Sequence, residues 1–185
     1  VDVPVPGNPM VHDASITETS MVLYDLPCTF DLERAMEGHR LPYAWNPGYG
    51  ARVGILPLEG QPEQVQWFDV ENCYVFHPVN ARDDGERVII DVARHPRMFD
   101  TDRHGPDEGP PSIWRWTFDR STGSTHEEQV DDRPIEFPRV DERRVGRRHR
   151  FSWGVQLGYT SDELQWPSAD LVRYDADRKV SETIS

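Results

Sequence analysis

Two histidines stand in sequence contexts that suit metal binding. His77 ends the aromatic run 74–76 and is followed by Pro78. The run reads as the close of a buried strand that Pro78 stops, so His77 is predicted where a strand leaves its sheet. His12 lies in the stretch 10–18, directly before an apolar strand at 21–26. One buried histidine is usually a packing residue, but two in like contexts suit a divalent iron, zinc, copper or nickel.

Three motifs follow one another along the chain. They are Met-Val-His-Asp at 10–13, Phe-His-Pro-Val-Asn-Ala at 76–81, and Glu-Phe-Pro-Arg-Val-Asp at 136–141 with an arginine-rich turn at 146–151. In this order they resemble the carotenoid cleavage oxygenase family, which includes the lignostilbene dioxygenases. The resemblance covers nearly the whole chain, while the chain covers only an internal part of the family's length.

The resemblance implies a ferrous iron site. In this family four histidines, one from each of four propeller blades, hold Fe(2+), and carboxylates behind them orient three of the rings. His12 and His77 match two of the four ligands, and Glu136 matches a carboxylate that accepts the ring N–H of His77. The other two histidines are expected upstream of Val1 and downstream of Ser185.

The implied reaction is the oxidative cleavage of a carbon–carbon double bond by O2, giving two carbonyl products. The alkene is a carotenoid, an apocarotenoid or a stilbene, and apolar residues such as Tyr74, Phe76 and Ile16 suit such a substrate. Two departures from the family pattern, Ala14 and Arg82, bear on the substrate and replace no ligand. An alternative stays open, in which the histidines only pack and the chain is a metal-free propeller scaffold that binds without catalysis.

The remaining five histidines are interpreted as surface residues, because each stands among prolines, glycines and charges. They are His39, His95, His104, His126 and His149. The chain carries no Gly-x-Ser-x-Gly elbow, no phosphate-binding glycine loop and no His-Glu-x-x-His helix, so the hydrolase, nucleotide and zinc-protease classes have no support.

Strand signals dominate the chain and predict an all-β fold. They fall at 21–26, 51–58, 66–76, 87–92, 112–118, 129–137, 151–157 and 170–174. A short helix is predicted at 29–36 with Thr29 as its cap, and 100–111 is predicted as a long loop. An acidic turn follows the strands that end near Leu58, Phe118 and Tyr174. This repeat favours about three blades of a seven-bladed β-propeller, in which His12, His77 and Glu136 occupy equivalent inner positions.

Composition excludes several classes of function. The formal net charge of -13 disfavours nucleic acid as a partner, because a local cluster at 147–150 cannot neutralise a phosphate backbone. The two cysteines, Cys28 and Cys73, fit no metal or redox spacing and are predicted to be buried or half-buried. No signal-peptide pattern or membrane-spanning run occurs, so a cytoplasmic protein is expected. Residues 1–185 are predicted to form one partial propeller domain that is truncated at both ends.

Overall fold

The chain folds into small antiparallel sheets, as the computed structural model shows for residues 2–101, 108–160 and 163–184. Within these ranges three sheets have four strands each and one has two. The first part of the chain forms, in order, β1 (Ser15–Ile16), β2 (Ser20–Asp25), β3 (Cys28–Phe30), α1 (Leu32–Met36), β4 (Tyr43–Trp45), β5 (Ala51–Pro57) and β6 (Gln66–Val70). The first four-stranded sheet has the order β1-β2-β5-β6, and β3 pairs with β4 in the insertion between β2 and β5.

The second and third sheets are simple meanders, in which each strand pairs with the next along the chain. The second contains β7 (Tyr74–Asp84), β8 (Arg87–His95), β9 (Ser112–Asp119) and β10 (Ser124–Asp131). The third contains β11 (Ile135–Val140), β12 (Phe151–Thr160), β13 (Glu163–Asp175) and β14 (Val180–Ile184). Short 3-10 turns occupy Pro62–Gln64 and Glu142–Arg144.

The first strand of each four-stranded sheet lies at a common centre. Strand β7 contacts β1 on one side and β11 on the other, whereas β6 contacts β10 away from that centre. Each sheet is therefore one propeller blade, entered at its inner strand and left at its outer strand. The all-β class and the three predicted blades are confirmed.

Apolar side chains from facing sheets fill the space between the blades. One cluster joins the first two blades, with the Phe68 and Phe118 rings 5.0 Å apart between centroids. A smaller cluster joins the second blade to the third and includes Val79, Ile113 and Val172. Burial on both faces explains why a strand such as β8 carries an almost continuous apolar run, from Val88 to Ala93, interrupted only by Asp91.

The predicted repeat corresponds to the third strand of each blade. Leu58 follows β5, Phe118 lies in β9 and Tyr174 lies in β13. The acidic residues after two of these strands close the turns: Asp119 accepts the backbone N–H groups of 121 and 122, and Asp175 those of 177 and 178. The sequence pattern therefore detected a real structural repeat.

Two predicted strands are wrong, and both errors have one cause. The run 66–76 divides into β6 and β7, and the run 129–137 divides into β10 and β11. In each case the chain leaves the outer strand of one blade and enters the inner strand of the next within a few residues. Each junction is only three residues long, so strand signals lie close on both sides of it and no long turn marks the change of sheet.

Helix α1 begins later than predicted. Asp31, and not Thr29, caps it by accepting the backbone N–H of Arg34 at 3.1 Å, and Thr29 belongs to β3. Part of the predicted loop 100–111 lies outside the described residues. Cys28 and Cys73 are both buried and unpaired with each other, as predicted. Among the residues described, the helices are all too short or too polar to cross a bilayer.

Candidate metal centre

His77 lies within β7, the innermost strand of the second blade. The strand continues through Pro78 to Asp84, so the prediction that His77 marks a strand exit is wrong. A proline, which has no backbone N–H to donate, is tolerated at position 78 because β7 is an edge strand. The register of β7 with β8 also shifts on either side of this residue. The bulged inner edge leaves the side chain of His77 22% exposed.

His12 lies directly before β1 and meets His77 at the common centre of the blades. The two imidazole rings are 5.2 Å apart between centroids and stand at 89° to each other. The ring of Phe76 also meets His12 edge-on, at 5.1 Å. The structure thus brings both predicted ligands together, with an aromatic side chain beside them.

Glu136 reaches this pair from β11 in the next blade. Its side chain is buried, and its Oε2 accepts the ring N–H at Nδ1 of His77 at 2.8 Å. With the proton held at Nδ1, the lone pair of His77 lies on Nε2, which is the nitrogen left for a metal. Burial raises the pKa of Glu136, but hydrogen bonds from His77 and His95 outweigh burial and lower the pKa to about 2. The carboxylate is therefore ionised and acts only as an acceptor.

A backbone irregularity places two consecutive residues on His77. The register between β11 and β12 shifts between Glu136 and Arg139, and Phe137 has a φ of 52°. Neighbouring residues of a regular strand point to opposite faces. Here the Glu136 carboxylate bonds His77 while the Phe137 ring lies 5.1 Å from the same imidazole. Phe137 remains 46% exposed and forms an apolar surface beside the candidate site.

His95 is the residue that the sequence interpretation missed. It was predicted to be a surface histidine, but it is 4% exposed at the end of β8 and its Nε2 lies 2.5 Å from Oε1 of Glu136. The β7–β8 hairpin contained a signal. Asp84 pairs with Arg87 at the hairpin turn, and a regular antiparallel register counted from this pair would place residue 95 opposite residue 76, next to His77. The bulges in β7 shift the register, so His95 pairs with Tyr74 instead.

The other histidines do not reach the centre in the described part of the chain. His126 is exposed, and His39 is half-buried beside Glu37. His149 is half-buried rather than exposed, and burial lowers its pKa. His104 lies outside the described residues.

Asn80 connects the second and third motifs. Its Oδ1 accepts the backbone N–H of Gly146 at 3.0 Å, and its Nδ2 donates to the backbone carbonyls of Arg144 and Arg147 and lies 3.1 Å from Nδ1 of His149. Gly146 has a φ of 78°, and a Cβ there would come within 3.3 Å of the backbone of Thr17. The arginine-rich turn is therefore fastened to β7 and packed against the end of β1.

A groove between the inner strands opens beside the centre. Its walls come from the segment 13–16, from β7 and from β11. Ala14, one of the two departures noted in the sequence, lies in this wall. Arg82 lies further along β7, where burial and the nearby Arg115 lower its pKa.

The donors at this centre fit part of a metal site. His12 and His77 supply two imidazoles, and the Glu136 bond fixes the ring of His77 for binding through Nε2. Within the described ranges, however, no group of three or more His, Cys, Asp or Glu side chains is placed to hold an ion. Iron, zinc, copper and nickel all accept neutral imidazole, so these two side chains do not select among the four metals.

Comparison with known proteins establishes the family. Residues 1–185 match the profile of the retinal pigment epithelial membrane protein family. The chain belongs to this family, and the resemblance inferred from the three motifs is confirmed. It is 42% identical over 204 residues to a carotenoid cleavage oxygenase of Mycobacterium tuberculosis, covering 86% of this chain and 41% of that protein. The chain thus spans less than half the length of that relative.

Solved structures support the fold. The lignostilbene dioxygenase of Pseudomonas brassicacearum superposes with a TM-score of 0.83 at 26% identity, covering 98% of this chain and 41% of the other. Cobalt-substituted apocarotenoid oxygenase of Synechocystis gives a TM-score of 0.82 at 21% identity, covering 98% and 39%. With the three blades described above, these likenesses confirm the predicted part of a seven-bladed propeller. Its relatives are named as oxygenases, which makes this an oxygenase family.

Proposed function

We propose that the complete protein is a non-haem Fe(II) dioxygenase that cleaves a carbon–carbon double bond of a carotenoid, an apocarotenoid or a stilbene to two carbonyl products. One observation carries the proposal: the His12 and His77 rings meet at the inner edge of two blades, and Glu136 from a third blade fixes the tautomer of His77. His12 and His77 would hold part of the ferrous iron site, and the iron, when bound, would supply the activation of O2. Both oxygen atoms enter the products, so the reaction needs no other reductant.

The residues around the histidines suit an apolar alkene. Phe76 and Phe137 place aromatic rings 5.1 Å from His12 and His77 respectively. Such rings exclude water and offer contact area to a conjugated substrate. The net charge of -13 disfavours anionic substrates. Two relatives support the same substrate class, since one is named a carotenoid cleavage oxygenase and the other a lignostilbene dioxygenase.

Activity is expected of the complete protein and not of these 185 residues alone. Two histidines lie at the centre, whereas the family resemblance implies four ligands. Two imidazoles compete poorly with water for Fe(II), and a partial set of blades leaves strand edges unpaired. One observation favours the second candidate, a metal-free scaffold that binds without catalysis: in the described residues no group of three potential ligands occurs.

The test loads the complete protein with Fe(II) without oxygen and then adds air with a panel of carotenoids, apocarotenals and hydroxystilbenes. Oxygen uptake and carbonyl products are followed together. Iron-dependent formation of aldehyde from any member of the panel supports the dioxygenase. Bound iron without oxygen consumption on the whole panel would contradict the dioxygenase, and a complete failure to bind iron favours the metal-free scaffold.

A further inference from the structure

The carboxylate of Glu136 has a second imidazole partner. Its Oε2 accepts from Nδ1 of His77 at 2.8 Å and from the backbone N–H of Phe137 at 2.7 Å. Its Oε1 accepts from Nε2 of His95 at 2.5 Å. Each oxygen of this buried carboxylate therefore has its own imidazole donor.

His95 approaches Glu136 from the blade that carries His77. It ends β8, pairs with Tyr74 of β7, and is 4% exposed. The ring of Phe76 stands edge-on to it at 5.3 Å and 88°. Because strand pairing and this ring contact fix the imidazole, His95 offers a rigid donor to a carboxylate that comes from the next blade.

The protonation pattern supports one tautomer of His95. Ionised Glu136 accepts hydrogen bonds and donates none, so Nε2 of His95 must carry a proton. Its Nδ1 is buried with no hydrogen-bond partner in the described residues. His95 is therefore assigned as a donor to Glu136 through Nε2.

A carboxylate on its own turns easily about its last side-chain bond, because that torsion has a broad energy profile. His95 holds Oε1, so the plane of the carboxylate is set and Oε2 stays directed at Nδ1 of His77. We propose that His95 is a positioning residue for the metal centre: it orients the Glu136 carboxylate, which in turn orients the ligand His77. This inference rests on the proposed function.

The inference is tested with variants of the complete protein. His95→Phe keeps a ring of similar size and removes the donor, whereas His95→Gln keeps an amide N–H near the position of Nε2. The dissociation constant for Fe(II) is measured without oxygen by competition with a chelator, and the melting temperature of the metal-free protein is measured beside it. His126→Phe, on the exposed face of β10, is the control.

We expect His95→Phe to weaken iron binding about 10-fold, the low end for residues that orient metal ligands. We expect His95→Gln to restore most of the affinity. In a Glu136→Gln background His95→Phe should weaken binding no further, because its effect passes through the carboxylate. A residue that only fills the core would instead give the same loss in both backgrounds and no rescue by Gln.

The outcomes separate this inference from the proposed function. If wild type binds iron and Glu136→Gln weakens it while His95→Phe leaves affinity unchanged, the positioning role is wrong and the metal site stands. If wild type binds no iron, the proposed function fails and the positioning role fails with it.

A measurement on metal-free wild type decides the question if His95→Phe does not fold. Nitrogen-15 labelling of the histidines should show a His95 Nε2 proton that exchanges slowly with water, and Glu136→Gln should make that exchange faster. Rapid exchange of this proton in wild type would overturn the inference.

Discussion

Replacing Glu136 by glutamine changes one atom of the centre and tests how the carboxylate acts. The native carboxylate accepts from three donors: Nδ1 of His77, Nε2 of His95 and the backbone N–H of Phe137. An amide of the same shape has one acceptor oxygen and one donor group. It can serve His77 and Phe137 with its oxygen, but its NH2 group then faces the ring N–H of His95.

The magnitude follows from these contacts. A hydrogen bond to a charged group contributes about 1.5 to 3 kcal/mol, and an unsatisfied buried donor costs about 1 to 3 kcal/mol. We therefore expect the free energy of unfolding to fall by about 3 kcal/mol, which leaves a folded protein because total stabilities are about 5 to 15 kcal/mol. Iron affinity should fall by about 10- to 100-fold, because a neutral acceptor makes the His77 ring a weaker ligand.

The assay compares wild type with Glu136→Gln in the complete protein. Denaturant unfolding of the metal-free form gives the stability change, and chelator competition without oxygen gives the iron dissociation constant. Glu59→Gln, an exposed residue in the turn after β5, serves as the control and should change neither quantity. Unchanged iron affinity in Glu136→Gln, together with the expected loss of stability, would refute the orienting role and leave Glu136 as a structural residue.

Three further predictions concern residues around the centre. His77→Ala should abolish stoichiometric iron binding while the exposed His126→Ala retains it, as metal analysis after anaerobic loading would show; equal iron content would contradict the ligand role. Asn80→Ala removes three hydrogen bonds to the arginine-rich turn, so the free energy of unfolding should fall by about 2 to 4 kcal/mol and trypsin should cut the turn sooner. An unchanged cutting rate would show that other contacts hold the turn. Burial raises the pKa of the Cys28 and Cys73 thiols to about 12. A thiol reagent at neutral pH should therefore modify them only as fast as the protein unfolds. Rapid reaction of the native protein would contradict their burial.

The fold was largely predictable because its signals are local. A continuous apolar run marks β8, alternating apolar residues mark β9, and acidic turns mark the end of the third strand in each blade. The junctions between blades were not predicted, because each is only three residues long and joins two runs that both carry strand signals. Which sheet a strand joins depends on contacts with distant parts of the chain.

Residues of the centre could be predicted from the sequence only where they lie in one of the three motifs. His12, His77 and Glu136 each lie in one of the three motifs, and the structure brings them together. His95 follows the strand predicted at 87–92 and precedes Pro96, and this position is equally common in a surface turn. Its place beside Glu136 depends on the bulged register of β7 and β8 and on the approach of a strand from the next blade. Neither is encoded near His95 in the sequence.

The most direct test of the dioxygenase mechanism follows the oxygen atoms. The complete protein is loaded with Fe(II) and mixed with its best alkene under isotopically heavy O2, and the products are reduced at once so that the carbonyl oxygens cannot exchange with water. We predict one heavy oxygen in each of the two products, and no products from iron-free protein or from His77→Ala. Heavy oxygen in only one product, or the same products formed without iron, would contradict an iron dioxygenase at this centre.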